Sequence, residues 1–407
     1  MEGKTNSEQN AGRKTGVEAR GIRLPVVKRG DDLVEIVSTY LMEASHSDYA
    51  PFTLKDRDIV GVTESLLARA QGNIVSLDDI AQDVRNKMPD GDIAIAFPIL
   101  SRNRFMPLLD GLVRGIRGRV LLFLSYPSDE VGNDLMDPAE FLKKSGDLTS
   151  ECFDERKYEA IFGRYLHPFT GVSYVDLYKS LAPERTEIHF TNNPLTILEF
   201  TPHVIMANIH KRALYASLLR EAGATVLSLD QICNAPLSDG MGYNPDFGLL
   251  GSNYSQKGTV KLFPRDAHKF VRDLQTVIKR LSGRDIEVMV YGDGAFKDPV
   301  CGIWELADPV VSPGYTDGLK GTPTEIKFKM VADNATGDAA SAVRQAILAK
   351  PNATGKESGL KEEQNALGTT PRRYTDLLGS LCDLVSGSGD KGTPVVHISG
   401  YFDSYID

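Results

Sequence analysis

The chain has 407 residues, 41% of them hydrophobic and 25% charged, with a formal net charge of −9. That composition belongs to a soluble globular protein of about two domains, and no apolar run approaches the length that spans a bilayer. Basic residues are massed nowhere, which argues against nucleic acid as the main partner, and the scattered Cys152, Cys233, Cys301 and Cys382 form neither a disulfide frame nor a zinc site.

Residues 1–20 are polar, lack the apolar core of a secretory signal, and are expected to be a flexible tail of a cytoplasmic protein. Gly21 to Val27 reads as a short strand. Asp31 or Asp32 can cap the next helix, whose apolar positions Leu33, Ile36, Val37, Tyr40 and Leu41 recur at helical spacing. Ile59 to Thr63 is of strand type, Glu64 to Ala70 continues as a helix stopped by Gly72, and Ser76 to Val84 is a further capped helix. Strands are expected at Ile93–Pro98, with Arg102 and Arg104 just beyond, and at Arg119–Ser125, followed by a turn-rich loop bearing Asp129 and Glu130. From about 137 to 240, amphipathic helices alternate with short strands such as Glu187–Phe190 and Val204–Ala207. No fixed period recurs, which argues against a solenoid. The loop Gly240–Pro245 marks a candidate boundary between an N-terminal α/β domain over 21–240 and a C-terminal one over 241–407.

In the second half, Thr259–Pro264 leads to a helix from about Asp266 to Leu281 and then to the strand Val288–Tyr291. Residues 305–325 are rich in turns, and 334–366 combine a short helix with a polar loop. A last helix opens at Thr370–Asp376 and ends near Val385, before the strand Val395–Ile398.

The most informative stretch is Val288–Tyr291 running into Gly292-Asp293-Gly294. A buried strand ending at such a turn presents one carboxylate at its carboxyl end with little bulk around it, a favourable place for a metal or a phosphate. Lys297 and Asp298 follow closely, and an ordinary Asp-Gly turn between strands fits the same letters. Gly387 to Gly392 matches GxGxxG, but a helix precedes it and a strand follows, the reverse of a dinucleotide-binding turn. With Lys391, that loop can wrap an anion or serve as a plain connector. Arg372 and Arg373 stand beside a helix start among threonines, either as an anion cradle or as a solvated pair. Asp376 and Asp383 are seven residues apart, about two turns, and so share a helix face. His210, His167 and His203 have no metal-ligand spacing, and no nucleophile elbow or Cys/His pattern is present.

Three regions taken together resemble the coenzyme F(420)-0:L-glutamate ligases. Gly21 to Leu33, followed by Asp58 to Gly72, resembles the family's first strand, helix and Ala-Glu-Gly signature. Ser252-Asn253 with Gly258-Thr259-Val260 and Phe263-Pro264 resembles its Ser-Asn and Gly-Thr-Val segment. Val290 to Gly294 resembles its strand ending in Asp-Thr, Asp376 and Asp383 fall on its two acidic positions in the last helix, and Pro394 to Gly400 matches its closing strand. The chain departs from the pattern at several points. Ser65 and Arg69 stand where the family has lysines, Gln71 replaces a glutamate, Leu250 stands for the acid before Ser-Asn, and Gly294 stands for a threonine. Residues 130–240 and 305–370 have no counterpart, so a large central insertion is expected.

The resemblance implies a mixed α/β, two-domain fold with mixed sheets, and a homodimer. It implies an amide ligase that uses GTP or ATP with Mg²⁺ or Mn²⁺ to join L-glutamate to a small-molecule carboxylate acceptor through an acyl phosphate. Asp293 is the expected metal ligand, helped by Asp376, Asp383 and Asp246, and Lys297 is expected to act beside it. Arg69, Ser252, Asn253, Arg372, Arg373 and Lys391 are candidates for the nucleotide phosphates or the acidic substrate. Two alternatives remain open: a glutamate ligase acting on folate or another acceptor, and a nucleotide- or metal-binding regulatory module without turnover.

Overall fold

The computed structural model describes residues 15–144, 152–168, 170–292, 296–297, 304–305, 312–323, 326–349, 372–386 and 391–403. In chain order its strands are β1 (Glu18–Ile22), β2 (Ile59–Thr63), β3 (Ile74–Ser76), β4 (Ile93–Ala96), β5 (Val120–Leu124), β6 (Phe153–Asp154), β7 (Thr186–Phe190) and β8 (His203–Met206). They continue as β9 (Thr225–Ser228), β10 (Asn253–Gln256), β11 (Thr259–Lys261), β12 (Glu287–Tyr291), β13 (Phe296–Lys297), β14 (Trp304–Glu305), β15 (Gly314–Tyr315) and β16 (Val395–Ser399).

The chain forms two compact units interleaved along the sequence. One comprises residues 1–67, 266–294 and 310–407; the other comprises 68–265 and 295–309. The division expected near 240 follows chain order, whereas contacts group the segment before 68 with the one after 265. The physical reason is a long-range pairing: β2 lies parallel to β12, with Ile59 opposite Glu287 and Thr63 opposite Tyr291.

The first unit is built on a five-stranded mixed sheet in the order β1-β16-β2-β12-β15. The tail expected over residues 1–20 is shorter than that, because Glu18, Ala19 and Arg20 already belong to β1 and pair with Ser399, Ile398 and His397. Strand alternation sends Ile59 and Gly61 to one face, where the helix Tyr374–Ser386 packs with Leu378 and Cys382. Gly61 is required there, since a Cβ on it would come within 2.4 Å of the Cys382 sulfur. Val60, Val62, Val288 and Val290 point the other way and are fully buried. The helices Leu33–Ser45 and Ala267–Ser282, packed on one another, supply cover on that side. Of the two candidates Asp31 and Asp32, it is Asp32 that caps the first of these helices, by accepting from the Glu35 amide.

His397 and Asp58 lie in the interior of this unit, 0% and 2% exposed, with His397 Nε2 2.8 Å from Asp58 Oδ2. Phe52 stacks on the imidazole at 4.6 Å. Burial alone would raise the Asp58 pKa. Hydrogen bonds from His397, the Lys55 amide and Ser399 outweigh it and hold the carboxyl below its ordinary value.

The second unit holds a six-stranded sheet in the order β6-β7-β5-β4-β8-β9, parallel throughout except at β6. From β4 the chain winds outward through β5 to β7, then returns to the other side of β4 for β8 and β9. This is a doubly wound arrangement. The continuous apolar runs of β4 and β5 suit strands covered on both faces, and every residue in them is buried. A three-stranded antiparallel sheet, β10-β11-β3, adjoins in the same unit. The helix Leu77–Lys87 starts at Ser76 with a full capping box to Asp79. Cys152, Cys233 and Cys382 are free thiols; Cys301 lies outside the described residues. Among the described residues no helix is long and apolar enough to cross a membrane.

Candidate functional site

Two polar neighbourhoods, one in each unit, hold some of the residues singled out from the sequence. In the first unit, the carboxyl ends of β2 and β12 lie side by side because the two strands are parallel and in register. The amide of Thr63 donates to Pro394 O at 3.0 Å, which ties the end of β2 to the start of β16. Tyr291, the last residue of β12, is 1% exposed and donates its hydroxyl to the same carbonyl at 3.4 Å. Burial pushes that hydroxyl's pKa well up, and the nearby Cys382 and Asp383 add to the rise. Asp383 lies on the last turns of the helix Tyr374–Ser386, near enough to the Tyr291 hydroxyl for its charge to be felt there. Ser386 donates to Asp383 O at 3.0 Å, and Thr393 donates to Ser386 O at 2.6 Å, so Lys391 is carried toward the same end, where it is exposed. Asp293 follows Tyr291 by two residues and lies outside the described residues. The side chain of Lys297, in β13, lies outside them too.

Glu64 is an addition that the sequence alone did not single out. It follows β2 directly, as Gly292 follows β12, and it is 6% exposed. A buried glutamate at the end of a parallel strand, beside the strand that runs on into Gly292, is a candidate ligand. Its signal could be read only by pairing β2 with β12, which brings together residues more than two hundred positions apart.

The other acidic and basic candidates of this unit are not gathered at that end. Asp376 is exposed in the first turn of the helix Tyr374–Ser386, two turns or about 10 Å from Asp383 along the axis. Arg372 and Arg373 are exposed just before the same turn. Sharing a helix face places Asp376 and Asp383 in one row without placing them at one point.

In the second unit a network of carboxamides surrounds Arg265. Gln71 donates through Nε2 to Arg265 O at 2.7 Å and accepts from Arg265 N at 2.8 Å, a reciprocal clasp. Asn73, 0% exposed, donates to Phe263 O, and its Oδ1 accepts from the Tyr243 amide at 2.9 Å and from the Arg265 guanidinium. Asn244, also buried, donates to Phe263 O and Pro264 O, each at 3.1 Å. The Arg265 guanidinium lies 4.6 Å above the Tyr243 ring. Among the described residues it has no carboxylate partner, so a fixed fork of donors is left for an anion. Arg69 is exposed on the helix that leads to Gln71.

The clasp gives a physical account of Gln71, where the family carries a glutamate. An amide both donates and accepts, whereas a carboxylate only accepts. Replacing Gln71 with Glu is expected to lower stability by about 1–2 kcal/mol at neutral pH. Urea unfolding measures it, and the deficit should shrink below about pH 4, where a protonated glutamate regains a donor.

The Ser-Asn turn lies in this unit as well. Ser252 is buried and spends its hydroxyl proton on Leu249 O at 2.6 Å, leaving its oxygen only as an acceptor. Asn253 is half-buried at the start of β10, opposite Lys261. Leu250, at the position of the family's acid, is 1% exposed within the apolar core and cannot bind a cation. Asp246 is exposed, its amide donating to Asn244 Oδ1.

Among the described residues no group of three or more His, Cys, Asp or Glu side chains is placed to hold a metal. Glu64 and Asp383 are hard oxygen donors of the kind Mg²⁺ or Mn²⁺ takes, and a complete set at the end of β12 needs Asp293.

No curated protein matches the chain. The profile of the F420-0:gamma-glutamyl ligase family matches residues 21–400, which takes in both units. A match of that extent, over a mixed α/β chain, settles the kinship: the chain belongs to the F420-0:gamma-glutamyl ligase family, whose members are ligases that form a C–N bond.

Proposed function

We propose that the protein is a nucleotide-dependent amide ligase that adds L-glutamate to a carboxylate acceptor of the coenzyme F420-0 type. The family match over residues 21–400 carries this reading, supported by the carboxylates Glu64 and Asp383 beside the strand that runs into Asp293. An acceptor carboxylate oxygen attacks the γ-phosphorus of GTP or ATP, the bond from phosphorus to the bridging oxygen breaks, and the nucleoside diphosphate leaves. The glutamate amine then attacks the acyl carbon, gives up a proton, and expels inorganic phosphate as the amide forms. Such a sequence depends on positioning and on neutralising phosphate charge.

Asp293, Glu64 and Asp383 are the residues proposed to hold Mg²⁺ or Mn²⁺, which when bound neutralises phosphate oxygens. Within the second unit, Arg265 is the proposed anchor for an anion, with Arg69 and Lys297 as further basic candidates and Asn253 as a donor; within the first, Lys391 is a candidate for the nucleotide phosphates. Asp376, Asp246, Arg372 and Arg373 take outlying places, as groups that tune the field around substrate and not as ligands. The working form proposed is a cytoplasmic homodimer, which light scattering of the purified chain tests.

The buried, apolar Leu250 favours one second reading, a nucleotide-binding regulatory module without turnover. Incubation with GTP or ATP, Mg²⁺ or Mn²⁺ and L-glutamate across a panel of acceptors, folate among them, separates the readings. Phosphate release that requires one acceptor is the expected outcome and identifies that acceptor. Tight nucleotide binding without release under every condition replaces the ligase with the module.

A further inference from the structure

At the amino end of β12, the first unit carries a cleft of about 270 Å³. It lies on the order of 13 Å along the strand from Tyr291, at the end opposite Asp293. The helix Ala267–Ser282 forms one wall, presenting His268, Arg272 and Gln275 at positions i, i+4 and i+7, and therefore on one face. The turn from Tyr315 to Lys320 forms the other wall, and Glu287 lies between them.

The acidic side of this cleft is rigid. Glu287 Oε2 accepts from the Thr316 hydroxyl, whose oxygen in turn accepts from the Val288 amide at 3.0 Å. The Thr316 amide donates back to Val288 O at 2.9 Å, and Thr316 is 2% exposed. Gly318 leaves room beside it: a Cβ there would stand 2.0 Å from Glu287 Oε1, so the carboxylate fills the place that a side chain would take. Gln275 is fixed as well, donating through Nε2 to Ile286 O at 2.6 Å, which leaves its Oε1 as an acceptor. Glu287 and Gln275 thus offer two oriented oxygens toward the cleft.

The basic side stands along the same helix. Lys320 is engaged by Asp317 at 2.5 Å. The charge of Asp317 also reaches Arg272 and His268, but no side-chain hydrogen bond or ion pair within 4 Å holds the Arg272 guanidinium among the described residues, and His268 stands edge-on to the Tyr315 ring at 5.3 Å. A guanidinium with its donors uncommitted, next to a fixed carboxylate and a fixed amide oxygen, matches a ligand that carries both signs of charge. The volume is at the low end of small-molecule pockets, so a nucleotide is too large and an amino acid fits.

We propose that this cleft is a binding site for a small zwitterion of the α-amino acid class. The ligand carboxylate pairs with Arg272, aided by His268, and its ammonium group lies against Glu287 and Gln275 Oε1. The site is separate from the ligase site and stands whether or not the ligase reading does.

Calorimetric titration of the full chain without nucleotide tests it, using glycine, L-alanine and L-glutamate, with acetate, methylammonium and inorganic phosphate as single-charge probes. The zwitterions should bind at least tenfold more tightly than any single-charge probe. Arg272→Ala, on an exposed helix face, should weaken that binding at least tenfold, and Glu287→Gln should do the same while keeping the shape of the side chain. Absence of zwitterion binding overturns the proposal. So does binding that is unchanged in Arg272→Ala, or phosphate binding as tight as that of the amino acids. No arm involves turnover, so a failed ligation assay leaves this result readable.

Discussion

Asp293→Asn is expected to abolish nucleotide-dependent ligation, a loss of at least about a hundredfold in kcat, with the unfolding midpoint unchanged. The substitution keeps size and shape and removes only the charge, at the end of a strand whose last residue, Tyr291, is sealed in the core. A carboxylate that holds the cation facing a transferring phosphoryl group matters most while negative charge is being redistributed there, so its loss falls on kcat more than on nucleotide affinity. Initial rates of phosphate release at saturating nucleotide, with circular dichroism as the control, measure it. Turnover retained within tenfold of wild type would remove Asp293 from the mechanism and move attention to Glu64 and Asp383.

His397→Ala is expected to cost about 3–5 kcal/mol of stability, since it strips a buried carboxylate of its main partner and opens a cavity under Phe52. The pH dependence separates the electrostatic part from the packing part. The folded pKa of Asp58 is depressed below its unfolded value of about 3.9, so its contribution is fully present above that value and is lost as pH falls through the folded one. The gap between wild type and variant should therefore be widest near neutrality and narrow below about pH 4. Denaturant unfolding across that range checks it, and a gap of constant size would assign the whole effect to packing.

Much of the fold is legible in the sequence wherever the cause is local. The helical spacing from Leu33 to Leu41, the caps at Asp32 and Ser76, and the apolar runs at Ile93 and Val120 all lie where expected. The first strand runs over Glu18–Ile22 and not Gly21–Val27, because its place is set by pairing with β16 and not by its own composition. The interleaving of the two units was hidden for a similar reason: nothing near Ile59 states that its neighbour is Glu287. Among the candidate site residues, Asp376 and Asp383 were legible as acidic positions sharing one helix face, whereas their separation follows from the helix length. Glu64 and Arg265 were not singled out from the sequence, because the burial of one and the carboxamide contacts of the other arise only once distant segments meet.

The clasp between Gln71 and Arg265 has a bearing on how the chain is made. It closes a loop spanning 194 residues, and for a flexible chain the entropy of bringing such ends together amounts to about 5 kcal/mol. Residues 68–265 emerge from the ribosome before β12 exists, so the doubly wound sheet can fold while β1 and β2 wait for their partners. Once it has folded, the ends near Gln71 and Arg265 are already held together, and the search that brings β12 alongside β2 becomes a short one. Vectorial synthesis thus turns a pairing of high contact order into a local closing step. A circular permutant that begins at β12 should refold at much the same rate, whereas one whose new ends split residues 68–265 should refold far more slowly.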